Sequence, residues 1–303
     1  MNAVIAYMLA DWYRPGVTLD FPKGGSGAIV ETLVRAIRKY QGQVCLNAHV
    51  DEILVEDGKA CGVKLNNGKV VRAKHAVVSN ADPYVTQKLL SKADISNDMK
   101  EYMAKLTETD PTQDEKPSAD FPAQWAVIKD WDLPEGVEAP RNIVLCSMPS
   151  LIDPTLAPAG KHVLHAYVPA TEPYEWWAGM DRNSDEYKQK KDEAADFLWS
   201  AIEQYVPNAR DRAVPGTVQI GTPLTHERFL RRTRGAYGPR VEAGKQTLPG
   251  HTTPLKGLLL TGDFTFPGIG VPATAASGAI TANTLVSVPQ HFKMLDQIRL
   301  PQK

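Results

Sequence analysis

The segment that decides the fold reads Leu258-Leu259-Leu260-Thr261-Gly262-Asp263-Phe264-Thr265-Phe266-Pro267-Gly268-Ile269-Gly270-Val271-Pro272-Ala273. Its three consecutive leucines predict a strand that is buried on both faces, as in a parallel sheet. Asp263 follows where that strand ends, which is the edge at which α/β sheets bind ligands. The glycine loop behind it lets the backbone approach a ligand closely. The segment therefore predicts a ligand site at the edge of an α/β sheet.

A helix rich in small residues follows the glycine loop, from about residue 272 to 288. Its free N–H groups and the positive end of its dipole suit an anionic group. Asp263 suits the hydroxyl groups of a polyol chain such as ribityl. The alternative is a strand, a tight turn and a well-packed helix that hold no ligand.

The loop also matches the dinucleotide fingerprint loosely, as Gly268-x-Gly270-x-x-Ala273. A first βαβ unit would continue into a second strand that ends in an acidic residue about 20 residues later. Here the chain continues as a helix. We therefore reject a first βαβ unit at this place.

The region from 44 to 79 is typical of a β-meander that closes on a buried strand. Asp57-Gly58 and Asn67-Gly68 are strong hairpin signals. A helix is predicted before the meander, over 28–40, with Ser26 as its N-cap and Gly42 as its stop. The predicted strands are 44–47, 50–55, 60–65, 70–73 and 75–78.

The middle of the chain has a different pattern, after a polar loop over 109–119. Strands of one antiparallel sheet are predicted at 124–130, 142–148 and 162–169. The other predicted elements are a long amphipathic helix at 185–205, a strand at 214–220 and a short helix at 223–230. The chain as a whole is therefore predicted to be of mixed α/β class.

Charge and composition exclude several functions. The chain has 303 residues with 34 Lys+Arg and 35 Asp+Glu, a net charge of −1, which excludes a basic nucleic-acid binder. Its three widely spaced cysteines argue against a disulfide scaffold or a structural zinc site. His162 and His165 fall on opposite faces of a predicted strand, so no metal site is predicted.

Three segments leave alternatives open. The apolar segment from Met1 to Tyr13 is either a buried helix or an anchor at a membrane surface. Trp176 and Trp177 line an apolar cavity, enter a membrane interface, or pack in the core. The third segment, 228–234, is either a solvated helix face or a rim that contacts substrate or lipid head groups. Its arginines are Arg228, Arg231, Arg232 and Arg234.

The chain resembles the carboxyl-terminal part of the prolycopene isomerases, within the wider superfamily of phytoene desaturases and FAD-dependent amine oxidases. The resemblance covers roughly residues 1–288. The segments that carry it are 21–31, 48–55, 76–81, 165–167, 172–177, 221–230 and 262–279.

The resemblance implies an FAD cofactor and a place for each residue around it. Asp263, after Gly262, matches the acid that binds the ribityl or pyrophosphate region. Val50 matches a residue whose backbone contacts the adenine, and Asn80-Ala81 match the segment that crosses beside the dinucleotide. The loop and helix start beneath the isoalloxazine ring correspond to Gly268, Gly270, Val271, Pro272 and Ala273.

The resemblance also implies the domain organisation. Residues 1–108 and 245–288 would form a partial FAD-binding domain, 109–244 an antiparallel-sheet domain that binds substrate, and 289–303 a tail. The family's opening strand, Gly-x-Gly-x-x-Gly turn and helix have no counterpart here. We expect that a second polypeptide supplies this unit, that the sequence is incomplete, or that catalysis is lost.

Two functions follow from the resemblance. The first is a carotenoid cis–trans isomerase that uses reduced FAD to convert poly-cis-lycopene to all-trans-lycopene without net oxidation; no catalytic residue is assigned. The second is a non-catalytic subunit of a protein complex, with a partner that covers the missing half. The family implies a plastid location, in the stroma or at the thylakoid membrane, or a cyanobacterial cytoplasm or thylakoid surface.

Overall fold

The computed structural model describes residues 22–107, 124–136, 139–169, 172–236, 238 and 247–297. The predicted helix at Met1–Tyr13, the loop at 109–119 and the end of the tail lie outside the described residues. In chain order the helices and strands are α1 Gly25–Lys39, β1 Val50–Glu56, β2 Lys59–Leu65, β3 Val70–Arg72, β4 Val77–Ser79, α2 Pro83–Leu89, α3 Asn97–Thr107, β5 Gln124–Ile128, β6 Ile143–Ser147, β7 His165–Tyr167, α4 Asp185–Ile202, α5 Ala209–Arg212, α6 Pro223–Leu230, β8 Leu258–Leu260, α7 Val271–Asn283 and α8 Val288–Gln297.

The described residues form two compact units. The first unit contains 47–107 and the described residues from 231 to 297, and the second contains 22–46 and those from 124 to 230. This grouping places α1 with the second unit, whereas the sequence prediction keeps 1–108 together. The assignment of flavin and substrate domains stays a prediction.

The first unit contains two sheets. β1, β2 and β3 form an antiparallel meander whose Asp57-Gly58 turn has positive φ at both residues, 50° and 69°, so the predicted hairpin is confirmed. β4 and β8 pair in parallel, with Val77 opposite Leu258. All three residues of β8 are buried, which confirms the buried parallel strand predicted from the leucine run.

One core cluster supports both sheets of the first unit. Side chains from β1, β2, β8 and helices α2 and α3 form it, and its buried members are Ile53, Ala60, Leu90, Met99, Met103, Leu255 and Leu258. The cluster joins residues 53–103 to Leu255 and Leu258, so packing between segments distant in sequence holds the start of β8.

The second unit is built on the antiparallel sheet β5-β6-β7, as predicted. Helix α4 packs on it, and the cluster between them contains Val127, Val144, Cys146, Ala201 and Ile202. Helix α1 contributes no buried residue. None of the described helices combines the length and apolar composition that crossing a bilayer requires.

Four local predictions are wrong. Residues 44–47 form no strand, and Asn47 takes a positive φ of 54°. Residues 214–220 form no strand because they contain a turn, with Gly216 at φ 77° and a Thr217 N–H to Val214 O bond of 3.1 Å. The N-cap of α1 is Gly24, not Ser26. The helix predicted at 272–288 ends early, at Asn283, and Val288 begins a separate helix, α8.

Candidate functional site

The turn after β8 depends on a glycine. Gly262 has φ 108°, and a Cβ on it would lie 2.4 Å from Oδ1 of Asn80. Parallel pairing of β4 with β8 brings these residues together, and the Thr261 N–H donates to Ser79 O at 3.0 Å. The structure therefore places two of the predicted cofactor-binding segments, Asn80-Ala81 and Gly262-Asp263, side by side.

Helix α7 is attached to this turn through Ser277, which is fully buried. The Gly262 N–H donates to Ser277 Oγ at 2.8 Å. Ser277 Oγ also lies 2.8 Å from Thr265 Oγ1, which donates to Gly262 O at 2.9 Å. These bonds occupy the amide of Gly262 within the protein. The small residues on this face of α7 thus pack against the strand end.

Asp263 forms an ion pair that the sequence analysis missed. Arg232 Nη2 donates to Asp263 Oδ1 at 2.8 Å, and the two side chains are 18% and 9% exposed. The guanidinium also lies over the Phe264 ring, 5.4 Å from its centroid. Arg232 therefore does not belong to a solvated helix face, which is one of the two alternatives that the sequence leaves open. The buried strand predicts that Asp263 needs a polar partner, but nothing near it in the sequence identifies Arg232 as that partner.

A second buried carboxylate fixes the same segment. Asp82 Oδ1 accepts from the Val85 N–H at 2.7 Å and caps α2. Asp82 Oδ2 accepts from the Thr233 N–H at 2.8 Å. Arg232 and Thr233 are thus attached to two separate acidic residues. Ala81, beside this cap, is half-buried, and its carbonyl accepts from Thr86 Oγ1 at 3.4 Å.

The glycine loop ends at an open helix start. Gly268 and Gly270 have φ values of 112° and 101°, which side chains rarely adopt. Gly270 is the N-cap of α7 and no side chain caps it; a Cβ there would meet nothing closer than Pro272 Cδ at 4.0 Å. Val271 and Pro272 are exposed, whereas Ala273 is buried. The first turn of α7 thus offers backbone N–H groups to a ligand.

Val50 lies elsewhere in the first unit. It begins β1 in the three-stranded sheet, where it is half-buried and pairs with Leu65. It does not belong to the β4–β8 pair. Its contact with a cofactor stays a prediction, as does that of each residue at the end of β8.

The residues present fit a cofactor that carries anionic oxygens. Arg232 Nη1 is buried and has no hydrogen-bond partner among the described residues. The helix start at Gly270 adds open backbone donors. Both features suit the phosphates or the ring oxygens of a flavin nucleotide. We call the end of β8, Asp82, Arg232 and the start of α7 the strand-end site.

Glu172 of the second unit binds two neighbouring side chains. Glu172 accepts from Arg141 Nε through one oxygen and from Trp177 Nε1, at 2.9 Å, through the other. Trp177 is 1% exposed and packs edge-on against Tyr187. Trp177 is therefore core, which decides among the three predicted roles for this residue. Tyr187 Oη lies 2.8 Å from Thr222 Oγ1.

His162 and His165, the pair considered as metal ligands, contact different side chains. His162 Nδ1 lies 3.2 Å from Ser150 Oγ, and His165 stacks on Tyr167 with 5.2 Å between ring centroids. Across the residues the structure describes, no group of three or more His, Cys, Asp or Glu side chains is arranged to hold a metal ion.

Comparison with known proteins gives relatives of one kind. The chain is 34% identical to prolycopene isomerase 2, chloroplastic, of an Oncidium hybrid cultivar, over 92% of the chain and 48% of that protein. It is 32% identical to the chloroplastic prolycopene isomerase of Daucus carota, over 92% and 46%. It is 26% identical to the neurosporene-forming phytoene desaturase of Cereibacter sphaeroides, over 95% and 58%. The chain spans about half the length of the isomerases it matches.

Two further matches concern fold and family. An oxidoreductase from Methanosarcina mazei superposes with a TM-score of 0.58 at 19% identity, over 92% of this chain and 59% of that one, which supports the fold alone. Residues 7–286 match the family described as flavin containing amine oxidoreductase. The chain therefore belongs to the flavin-containing amine oxidoreductase family.

Proposed function

We propose that this chain is the carboxyl-terminal portion of a carotenoid isomerase-like flavoprotein that converts poly-cis-lycopene to all-trans-lycopene without net oxidation. The observation that carries the proposal is the strand-end site. There, a buried Arg232–Asp263 pair and an uncapped helix start lie in a chain similar to prolycopene isomerases. No catalytic acid or base is assigned.

The strand-end site would hold FAD. When bound, FAD in its reduced form supplies electron density that lowers the bond order of a polyene C=C bond. Asp263 would accept from ribityl hydroxyls, and the first turn of α7 would favour negative charge near the ring. Buried Phe264 and Ala273 would exclude water. The other predicted contacts are Val50, Asn80, Ala81, Gly262, Gly268, Gly270, Val271 and Pro272.

The names of the relatives support the substrate class and the location. Two enzyme types among them, prolycopene isomerase and phytoene desaturase, are named for carotenoids. The isomerases are also named chloroplastic. We propose a carotenoid substrate and a plastid location, with residues 109–244 as the domain that binds the substrate.

The isomerase proposal is tested with the complete protein, in which this chain is joined by the part of the isomerases that it does not cover, together with reduced FAD and poly-cis-lycopene under anaerobic conditions. The expected result is all-trans-lycopene on chromatography and its loss in Gly270→Ala, because a Cβ would enter the open space at the helix start. Gly160→Ala is the matched control, since Gly160 also has a positive φ, 72°, with nothing within 4 Å of its Cβ position. Unchanged cis isomers with wild-type protein would contradict the proposal.

The second candidate is a non-catalytic subunit, and one observation favours it. The apolar face of α1 is exposed, with Val30 at 61% and Leu33 at 59%. We propose as its occupant a polypeptide equivalent to the part of the isomerases that this chain does not cover. The test mixes the chain with that part of the Daucus carota isomerase. A stoichiometric complex that Leu33→Asp abolishes and that leaves poly-cis-lycopene unchanged supports this candidate, and no complex with wild-type protein contradicts it.

A further inference from the structure

Arg232 uses only part of its hydrogen-bonding capacity. Nη2 donates to Asp263 at 2.8 Å, whereas Nη1 is buried and has no partner among the described residues. Buried N–H groups in proteins nearly always have an acceptor. The Arg232 side chain is only 18% exposed, so bulk water does not readily supply one. Nη1 is therefore open to an acceptor supplied by a bound group.

The direction of the guanidinium is fixed by its neighbours. The planar group lies over the Phe264 ring, and Asp263 holds one end of it. The next residue, Thr233, donates its N–H to Asp82 at 2.8 Å, which fixes the backbone. Because the side chain is held at both ends, Nη1 cannot turn to another acceptor without breaking the ion pair.

The charge balance of the pair favours an anionic ligand. Asp263 alone, 9% exposed, would repel a phosphate or an anionic ring. Paired with Arg232, its charge is neutralised, and a donor remains for a further oxygen. Guanidinium groups bind two acceptors at once through their separate N–H groups, which an ammonium does less well.

We propose that Arg232 is a ligand-binding residue of the strand-end site and that Nη1 donates to an anionic oxygen of the bound nucleotide. This oxygen belongs either to a phosphate or to the reduced flavin ring, because both groups offer an anionic oxygen that accepts a hydrogen bond. The inference rests on the proposed flavin function. It adds to that function a binding residue outside the set predicted from sequence.

The test is Arg232→Lys, which keeps the positive charge but replaces the planar group and its two terminal nitrogens by a single nitrogen that cannot reach in both fixed directions. Dissociation constants are measured by calorimetry for FAD, for ADP and for reduced riboflavin. We expect the FAD constant to rise by about tenfold or more in the variant. A rise for ADP assigns the oxygen to phosphate, and a rise for reduced riboflavin assigns it to the ring.

Arg231→Lys is the matched control, because Arg231 is the adjacent arginine and is exposed. Equal FAD affinity of wild type and Arg232→Lys would overturn the inference alone, and would mean that a water molecule satisfies Nη1. Wild-type protein that binds none of the three ligands would overturn the flavin function and the inference with it. If Arg232→Lys does not fold, the double variant Arg232→Gln with Asp263→Asn is compared with Asp263→Asn alone, and weaker FAD binding is expected in the double variant than in the single one.

Discussion

The strand-end site of the first unit and the Glu172 cluster of the second are both built from buried charged residues, but they differ in hydrogen bonding. Each oxygen of Glu172 has a donor, from Arg141 and Trp177. At the strand-end site, Arg232 has a buried nitrogen without an acceptor, and the helix start at Gly270 has no side-chain cap, within the part of the chain that the structure describes. Both regions contain segments that resemble the same enzymes.

This difference in hydrogen bonding indicates why each segment is shared with the isomerases: one segment stabilises the fold, and the other binds a ligand. Where every buried polar atom has a protein partner, the motif is explained by folding, because an unpaired member is costly. Where donors remain unpaired and the backbone is open, a ligand explains the motif better. We therefore infer that the Glu172 cluster stabilises the fold and that the strand-end site binds a ligand. The following changes test that interpretation.

The largest loss of stability is expected from Glu172→Ala in the Glu172 cluster. The variant leaves the Arg141 guanidinium and the buried Trp177 N–H without their acceptor. We expect the free energy of unfolding to fall by about 3 kcal/mol, as when one partner of a buried ion pair is removed. Urea denaturation measures it. Exposed Glu175→Ala is the control, and an equally small change in both variants would break the comparison.

Gly262→Ala tests the turn of the strand-end site. The new Cβ would lie 2.4 Å from Asn80 Oδ1 at a φ of 108°. A loss of about 2–3 kcal/mol is expected from strain and the clash. Gly160→Ala carries a positive φ without the clash and should lose about 1 kcal/mol. Equal losses of stability on thermal unfolding of the two variants would show that the Asn80 side chain moves away from the new Cβ.

Ser277→Ala tests the link between α7 and the strand end. The change leaves the Gly262 N–H without its acceptor in a buried place. We expect a loss of about 1–3 kcal/mol in the free energy of unfolding. Ser200→Ala, an exposed helix serine, should stay within about 0.5 kcal/mol of wild type. A neutral Ser277→Ala would mean that this attachment does not hold the turn.

The smallest effect concerns Cys146, which packs in the sheet core of the second unit. Burial raises the pKa of its thiol to about 12. In the unfolded chain the thiol pKa is about 8.5. The contribution of Cys146 to stability is therefore fully present below that pH, and it falls as the pH rises toward the pKa of the folded state. Urea denaturation from pH 7 to pH 10 should show a decline that Cys146→Ala reduces. An identical decline in both proteins would contradict it.

The sequence supports prediction where local chemistry decides the structure. The leucine run gives β8, and Asp57-Gly58 gives the hairpin, because each signal lies within a few residues. The pairing of Arg232 with Asp263 joins residues that are 31 positions apart, and no local pattern encodes it. The same limit applies to Trp177, whose burial depends on Glu172, Tyr187 and the packing of α4.

The predicted strand at 214–220 shows a second limit. Alternating apolar residues indicate a strand, but Pro215-Gly216 forms a turn there. Local turn chemistry thus overrides periodicity in a short segment. At the strand-end site, sequence therefore predicts the loop and the acid, while the basic partner emerges only from the folded chain.

The most direct test of the account is the visible absorption spectrum of the purified protein titrated with FAD, read beside Gly270→Ala and Gly160→Ala. The account predicts a saturable shift of the flavin bands with wild-type protein and Gly160→Ala, and a weaker one with Gly270→Ala. If the spectrum in the presence of wild-type protein equals that of free FAD at every concentration, the strand-end site is not a flavin site and the central claim is wrong.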